Sequence, residues 1–447
     1  MTAAACTHPV RLRGRITAVD LATSELRTMF DTDTEPDGEL LVPCGNRREA
    51  ACPSCSGVYK RDARQLVKAG LAGGKGIPDS IAVHPCVFAT FTAPSFGPVH
   101  SRRKRGHSVL PCRPRRDTKV RVCPHGRDIS CPRRHADDDP VLGRALCPDC
   151  YDYAAAVLFN AHAGKLWKRF TTYLPRHLAR LSGLTQKQLR ATVRVRYVKV
   201  AEYQARGVVH YHAVIRLDAP GDDYQPPPAR FTADLLRDAI GQAAAAVTLP
   251  VDPGPHTAPL RLRFGAQVDI KPIRPAGDDL PGTGRELSVQ AVGNYIAKYA
   301  TKTLDAPGLP DRRITTRLDL DTLRCAAHYR RMVTAAWELG GGQLTPGLHP
   351  TPLTRWAHQL GHGGHFLTKS CRYSVTFGQL RHARADHRRA TRYPQGQPDP
   401  WGRPLDDRIV LIIGTWTYAG TGRDRTPDAD LALASADRAR AHAGAAA

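Results

Sequence analysis

Nine of the chain's twelve cysteines fall between Cys44 and Cys150, and that crowding constrains the fold more than any other feature. The surrounding segment, 41–150, is rich in Cys, Pro and Arg, with one clear apolar strand, "CVFATFTAPSFG", at 86–97. A stretch so full of turn formers has little apolar surface to bury, so it needs cross-links to hold a shape. The opening "MTAAACTHPVRLRGR" has no apolar run of the kind that directs secretion, and no stretch approaches a membrane span. A cytoplasmic location with no membrane partner is therefore expected, where clustered cysteines serve as metal ligands rather than disulfides.

"CGNRREAACPSC" supplies Cys44, Cys52 and Cys55, "CPHGRDISCPRRH" supplies Cys123, His125, Cys131 and His135, and "CPDC" supplies Cys147 and Cys150. Each C-P-x-C knuckle aims two thiolates at one tetrahedral ion. One or two structural Zn²⁺ ions are expected, and spacing leaves the ligand pairing open. The bland alternative is a set of reduced thiols in a loop-rich region.

The charge balance points to a polyanion. Lys and Arg number 65 against 41 Asp and Glu, a net charge of +24 in 447 residues. An excess of that size repels itself in a compact fold and suits nucleic acid. "SRRKRG" and "CRPRRDTKVRV" offer Arg102, Arg103, Lys104, Arg105, Arg115 and Arg116 as phosphate contacts, which position DNA without reading its sequence. The alternative for that run is a solvated loop.

Patterning divides the chain into an N-terminal extension (1–40), the Cys-rich segment with its strand (41–150), a mixed core (151–305), a mainly helical basic region (306–420) and a disordered Ala/Asp/Arg tail (421–447). Apolar residues recur at helical spacing in "YDYAAAVLFNAHAGKLWKRF", "FTADLLRDAIGQAAAAV" and "ELSVQAVGNYIAKYATKT". Strand character marks "VRVRYVKVAEYQ", "VVHYHAVIRL", "LRLRFGAQVDIKPI" and a β-like piece at 372–377. The fold class is α+β.

The two strands at 193–217 are separated by "ARG". A three-residue hairpin loop of Ala205, Arg206 and Gly207 wants positive φ at its last residue, which Gly207 supplies. Gln204 then closes opposite Val208, and Glu202 falls opposite His210. Side chains alternate along a strand, and opposed residues share a face. Glu202, His210 and His212 therefore converge on one side, with Val209 and Tyr211 on the core side. Two imidazoles and a carboxylate suit a divalent ion with open positions. A loop of two or four residues would break the alignment and leave a half-buried strand with satisfied histidines.

Downstream, "AVGNYIAKYATKT" places Tyr295, Lys298, Tyr299 and Lys302 along one helical stripe, beside Val292, Ile296 and Ala300. A tyrosyl oxygen is a weak nucleophile at neutral pH, its pKa being about 10. A nearby cation that polarises a phosphate would help it. Ordinary amphipathic packing is the alternative for such a pair. "HQLGHGGHFLTKSCRYS" adds His358, His362 and His365, expected to be structural or DNA-contacting.

The order "FATFT", "HYH", "YIAKY" resembles that of HUH endonucleases. Over about 40–380, "FATFTAPSFGPVH", "LCPDCYDYAAAVLFNAHAGKLWKRF" and "VKVAEYQARGVVHYHAVIRLD" look like replication initiators of actinobacterial plasmids and integrative elements. The resemblance implies an HUH core, an antiparallel sheet with flanking helices, carrying an inserted or N-terminal zinc-binding segment. It implies that His210 and His212 bind Mg²⁺ or Mn²⁺ with Glu202 as third ligand, and that Tyr295 attacks the nick-site phosphate. Lys298 would orient that phosphate, and Tyr299 would be the second nucleophile. The implied partners are plasmid origin DNA, single-stranded at the nick, and a host helicase with its replication machinery. The implied products are a 5′-phosphotyrosine and a 3′-OH primer for rolling-circle replication. The 118 residues between Thr92 and His210 exceed the spacing of a minimal HUH domain. A two-tyrosine transposase or relaxase shares these motifs, and a non-catalytic zinc-containing DNA-binding regulator is the alternative of another class.

Overall fold

The computed structural model begins with strands β1 (Val10–Asp20), β2 (Leu26–Asp31) and β3 (Leu40–Val42), helix α1 (Pro53–Ala72), β4 (Cys86–Phe91) and a short hairpin of β5 (Arg103–Arg105) and β6 (Ser108–Leu110). Next come α2 (Tyr153–Leu181), α3 (Gln186–Thr192), β7 (Arg194–Tyr203), β8 (Val209–Asp218), α4 (Ala233–Ala246), β9 (Thr248–Val251), β10 (Leu260–Arg263), β11 (Val268–Pro272) and α5 (Val289–Thr301). The remaining elements are α6 (Arg317–Asp321), α7 (Ala327–Leu339), α8 (Pro352–Arg355), β12 (Leu367–Lys369), α9 (Phe377–Arg392), β13 (Val410–Thr421) and α10 (Thr426–Ala445). The residues described are 3, 5–35, 37–115, 121–221, 223–252, 259–273, 288–301, 309–310, 312–342, 351–392, 396, 398, 400–403, 409–423 and 426–445.

The chain divides into two compact units, one of Met1–Leu66 with Val375–Ala447, the other of Val67–Ser374. The first is built on a sheet in which β1 pairs along its length with β13, and on its other side with β2 and β3. The expected N-terminal extension (1–40) lies wholly in this unit, and the expected helical C-terminal region (306–420) contributes β13 to its sheet, so both ends of the chain meet in one sheet. The expected disordered tail (421–447) takes in the end of β13 and α10. Residues 426–445 form α10, as an alanine-rich run can, alanine being the strongest helix former.

The second unit is organised by a five-stranded antiparallel sheet of order β11-β4-β8-β7-β12. The central strand, β8, is buried on both faces, so its polar residues, among them His212, Arg216 and Asp218, each meet a partner inside the protein. On one face Val87, Ala89, Phe91, Ala201, Tyr211, Ala213 and Ile215 join the main core with Leu166, Trp167 and Phe170 of α2. α2 forms because its apolar residues recur every three or four positions, and it starts where the Asp152 side chain accepts from the Ala155 amide. The other face carries Phe88, Thr90, Val198, Val200, Glu202, His210, His212 and Val214, by the alternation of the paired strands. Helix α5 packs against β7 and buries Val292, Ile296 and Ala300.

Two sequence expectations shift locally. "LRLRFGAQVDIKPI" is two strands, β10 pairing with β9 and β11 with β4. The break falls at Gly265, whose amide donates to the Thr92 carbonyl at 2.7 Å, and a Cβ there would sit 2.9 Å from Ala93 O. The β-like piece at 372–377 is not a strand. Arg372 turns the chain at φ +60°, and the short strand lies earlier, as β12 on β7.

At the far end of β8 the fully buried Arg216 binds Asp218 through two nitrogens, at 2.7 and 2.8 Å, and donates to Gly70 O and Tyr373 O. His84 Nδ1 lies 2.9 Å from the same carboxylate. Burial opposes ionisation of Asp218, but the Arg216 and His84 bonds outweigh it and hold the carboxyl below the ordinary range. Its contribution to stability is therefore full above the unfolded carboxyl pKa, about 3.9, and is lost as pH falls through the lower folded value. Asp218→Asn leaves Arg216 buried without its counter-charge and should cost about 3–5 kcal/mol at pH 7 in urea unfolding. The deficit should shrink on acidification toward pH 2; a deficit that is the same at both pH values contradicts this account.

Candidate functional site

The β7–β8 turn has the geometry that the sequence predicts. Gly207 adopts φ +73°, Gln204 N donates to Val208 O at 3.0 Å, and Glu202 stands opposite His210. Glu202 Oε2 lies 3.0 Å from His210 Nε2 and 3.0 Å from His212 Nε2, and the two nitrogens are 3.1 Å apart. Three donors at one another's contact distance are repulsive unless a proton or a cation lies among them. Their spacing matches the edge of an octahedron, about 3.0 Å for bonds of about 2.1 Å. The donor set thus fits a hard divalent ion with its remaining positions open.

Thr90, opposite His212 on β4, fixes which His212 nitrogen faces the cluster: its Oγ1 lies 3.0 Å from Nδ1. With Nδ1–H donating to that hydroxyl, Nε2 keeps its lone pair. Burial, against the pull of Glu202, lowers the His212 pKa and keeps the ring neutral. Phe88 stacks on the same imidazole with centroids 5.8 Å apart. Neither Thr90 nor Phe88 is legible as a site residue from sequence beyond its place in "FATFT".

The tyrosine helix meets this face. Tyr295 Oη lies 3.1 Å from His212 Nε2, and its ring meets Phe88 edge-on at 5.4 Å. Tyr299 lies one turn on, its ring tilted 4.4 Å from that of Tyr295 and 5.6 Å from that of His212. Lys298 is exposed, its Nζ 5.7 Å from the centre of the Tyr299 ring. Burial first, then the neighbouring Tyr299 and Glu202, push the Tyr295 hydroxyl well above the ordinary phenol range. It therefore stays protonated until positive charge arrives.

Nine of the cysteines, with three histidines, sort into three sets of four, each with its donor atoms within 4.8 Å of one another: Cys6, Cys44, Cys52 and Cys55; His100, Cys112, Cys131 and His135; Cys123, His125, Cys147 and Cys150. Every cysteine singled out from the sequence is in one of them. Spacing missed Cys6, His100 and Cys112, which lie outside any knuckle. Within the first set burial opposes ionisation of Cys52, but bonds from the Cys55 amide and Thr7 bring its thiol down to about 6, while burial pushes Cys44 up to about 11.

A family profile described as "Replication initiator protein, pSAM2" (RepSA) matches residues 1–437. The chain belongs to this replication initiator family. A curated "Replication initiator protein" of Streptomyces ambofaciens is 43% identical over 438 residues, covering 96% of this chain and 87% of the relative. No solved structure matches the chain significantly.

Two groups of basic residues among those described bear on nucleic-acid contact. Arg103, Lys104 and Arg105 are exposed on β5, whereas Arg102 pairs with Asp137 and Arg115 with Asp128, so two of the expected phosphate contacts are already engaged. Arg116 lies outside the described residues. Sequence reasoning passed over a second basic stripe on α2, where Lys165, Lys168, Arg169 and Arg176 line an open concavity with Thr172 and Tyr173. Its spacing of three, four and seven is visible in "KLWKRFTTYLPR" once the helix is drawn. His358 and His362 are buried, His362 Nδ1 donating to Asn160 O at 3.2 Å, and His365 is exposed. Among the described residues no helix is long and apolar enough to cross a membrane.

Thr90→Val removes the group that orients His212 while keeping the strand's shape. It should weaken Mn²⁺ binding roughly 10–100-fold in calorimetric titration. Unchanged affinity would mean that the hydroxyl plays no part in the site.

Proposed function

We propose that the initiator nicks one strand of its plasmid origin DNA as an HUH endonuclease, with Tyr295 as nucleophile. The observation that carries this reading is the 3.1 Å approach of Tyr295 Oη to a nitrogen of the Glu202–His210–His212 cluster. A structural tyrosine at a helix surface has no reason to end there, and Tyr299 lies farther from the imidazole. Glu202, His210 and His212 would hold Mg²⁺ or Mn²⁺, which when bound supplies Lewis-acid polarisation of the scissile phosphate.

The chain's own groups account for the rest. Helix α5, seated through Val292, Ile296 and Ala300, delivers Tyr295 beside the cluster with its orientation already paid in folding. In the transfer the Tyr295 oxygen forms a bond to phosphorus as the bond to the 3′ oxygen breaks. The tyrosyl proton is given up, and the departing oxygen is protonated to the 3′-OH. The phosphotyrosine conserves the diester's energy, so rejoining needs no nucleotide cofactor. Exposed Lys298, about one turn along the helix from Tyr295 and next to Tyr299, suits the phosphate charge that develops. Tyr299, packed against Tyr295, would take the second transfer of a replication round.

Labelled single-stranded oligonucleotides tiling the origin, incubated with Mn²⁺ or EDTA and run on denaturing gels, test the reading. A metal-dependent covalent adduct should form, vanish in Tyr295→Phe and persist in Tyr299→Phe. No cleavage on any oligonucleotide, alongside tight duplex binding, would favour a non-catalytic DNA-binding regulator.

The α2 stripe, with its open basic concavity, suits backbone phosphates. Lys168→Glu combined with Arg169→Glu should lower the magnitude of the slope of log affinity against log salt by about 2, measured by anisotropy on origin duplex. The loss should be similar for unrelated sequences. An unaltered slope removes α2 from the DNA path.

A further inference from the structure

We propose that the initiator carries three structural Zn²⁺ ions in closed four-ligand sites, one of four cysteines, one of two cysteines and two histidines, and one of three cysteines and one histidine. The ligand sets are those that the fold brings together around Cys6, Cys112 and Cys123.

Donor spacing carries the first part of the argument. Cys6 Sγ lies 3.8 Å from Cys52 Sγ and 3.7 Å from Cys55 Sγ. A tetrahedron with Zn–S bonds of about 2.3 Å has an edge of about 3.8 Å, whereas a disulfide is about 2.05 Å. Cys131 Sγ and His135 Nε2 are 3.5 Å apart, where a mixed sulfur–nitrogen edge would be about 3.6 Å. His125 Nδ1 stands 3.2 Å from Cys150 Sγ and 3.8 Å from Cys147 Sγ. All twelve cysteines of the chain are free.

The surroundings fit ligands rather than spare thiols. His135 Nδ1 lies 2.7 Å from Asp139 Oδ2, which leaves its Nε2 facing the sulfurs, as a carboxylate behind a metal-bound imidazole does. Backbone amides point at sulfur in two of the sets: Cys44 N at Cys6 Sγ (3.3 Å), Asn46 N at Cys44 Sγ (3.4 Å) and Ser101 N at Cys112 Sγ (3.2 Å). Such donors favour thiolate over thiol.

Burial supplies the third part. Among the described residues of 98–150, the buried side chains are Cys112, Cys123, Cys131, His135 and Cys147, each a member of one of these sets. The described residues of this segment form no hydrophobic core of their own, only the β5–β6 hairpin and isolated bridges such as Val99 to Ala145 and Arg113 to Cys131. A chain of that kind keeps a fixed course when metal supplies the folding energy. In the other unit Cys6, Cys52 and Cys55 form a small core with Ala3, Cys44 and Leu41, joining the segment before β1, the end of β3 and the first turn of α1.

The test uses the full chain carrying His210→Ala and His212→Ala, so that the open cluster takes no zinc. Native mass spectrometry and elemental analysis should give three Zn²⁺ per chain. X-ray absorption at the zinc edge should give a mean first shell of three sulfurs to one nitrogen, since the sets contain nine cysteines and three histidines. Cys6→Ser, Cys112→Ser and Cys150→Ser should each lower the count to two. Two or fewer ions on the folded parent, a shell that is not sulfur-rich, or three ions retained in any of the single variants overturns the assignment. Should a variant fail to fold, the zinc count and the sulfur-to-nitrogen ratio of the parent together still decide, because omitting the first set lowers the ratio, omitting the second raises it, and omitting the third keeps the ratio but lowers the count to two.

Discussion

Asn160 grips the turn of the β7–β8 hairpin from the side of α2, and the geometry of the site depends on that grip. Its Nδ2 donates to Gly207 O and to Leu360 O, both at 2.9 Å, and its Oδ1 accepts from Val209 N at 2.8 Å. A buried amide that satisfies three backbone groups fixes where the turn sits and how many residues it holds. The space beside Gly207 is taken, since a Cβ there would meet Met332 Sδ at 2.6 Å. Strand side chains alternate, so a slip of one residue would carry Glu202 to the opposite face and dissolve the cluster. On its outer side the turn is met by Gly143, whose Cβ position falls 2.1 Å from Ala205 C. Backbone touches backbone there, so the Cys-rich segment bears on the same turn.

The electrostatics of the site follow from this placement. A central strand buried on both faces is a costly place for two imidazoles and a carboxylate. Thr90 and Phe88 meet part of that cost by hydrogen bonding and stacking His212, and both come from β4, the strand next to β8. What remains is a neutral His212 and a strongly protonated Tyr295 around a shared point. Such a cluster is poorly stable as it stands and is much improved by a cation, which is the electrostatic profile of a binding site rather than of a packing accident.

Much of this was legible in the sequence, and the misses share a cause. The hairpin register could be read because "ARG" ends in a glycine and the loop is short, so local sterics decide it. The tyrosine stripe could be read because helical spacing is local. Thr90 could not, since its approach to His212 depends on β4 pairing with β8 across about 120 residues. Cys6, His100 and Cys112 were missed for the same reason: no knuckle marks them, and only tertiary structure brings them to their partners. β13 was hidden by a basic, helix-like neighbourhood, although "VLIIGTWTYAGT" is rich in β-branched and aromatic residues. Its partner, β1, lies at the other end of the chain, so no local signal could announce the sheet they form.

The same chain thus presents two kinds of donor spacing. Oxygen and nitrogen donors on β7 and β8 stand 3.0–3.1 Å apart in an open group of three. Sulfur-bearing sets close around four donors, with sulfur pairs at 3.7–3.8 Å. Divalent metals differ in intrinsic affinity, and zinc outranks magnesium and manganese at most nitrogen sites, so a chain with both kinds of donor set must discriminate by geometry. A short edge with a carboxylate favours six-coordinate oxygen-loving ions, and soft thiolates in a closed tetrahedron favour zinc. On the proposed reading, the separation of structural from catalytic metal is written into these distances, and it holds only while the hairpin turn keeps Glu202 opposite His210.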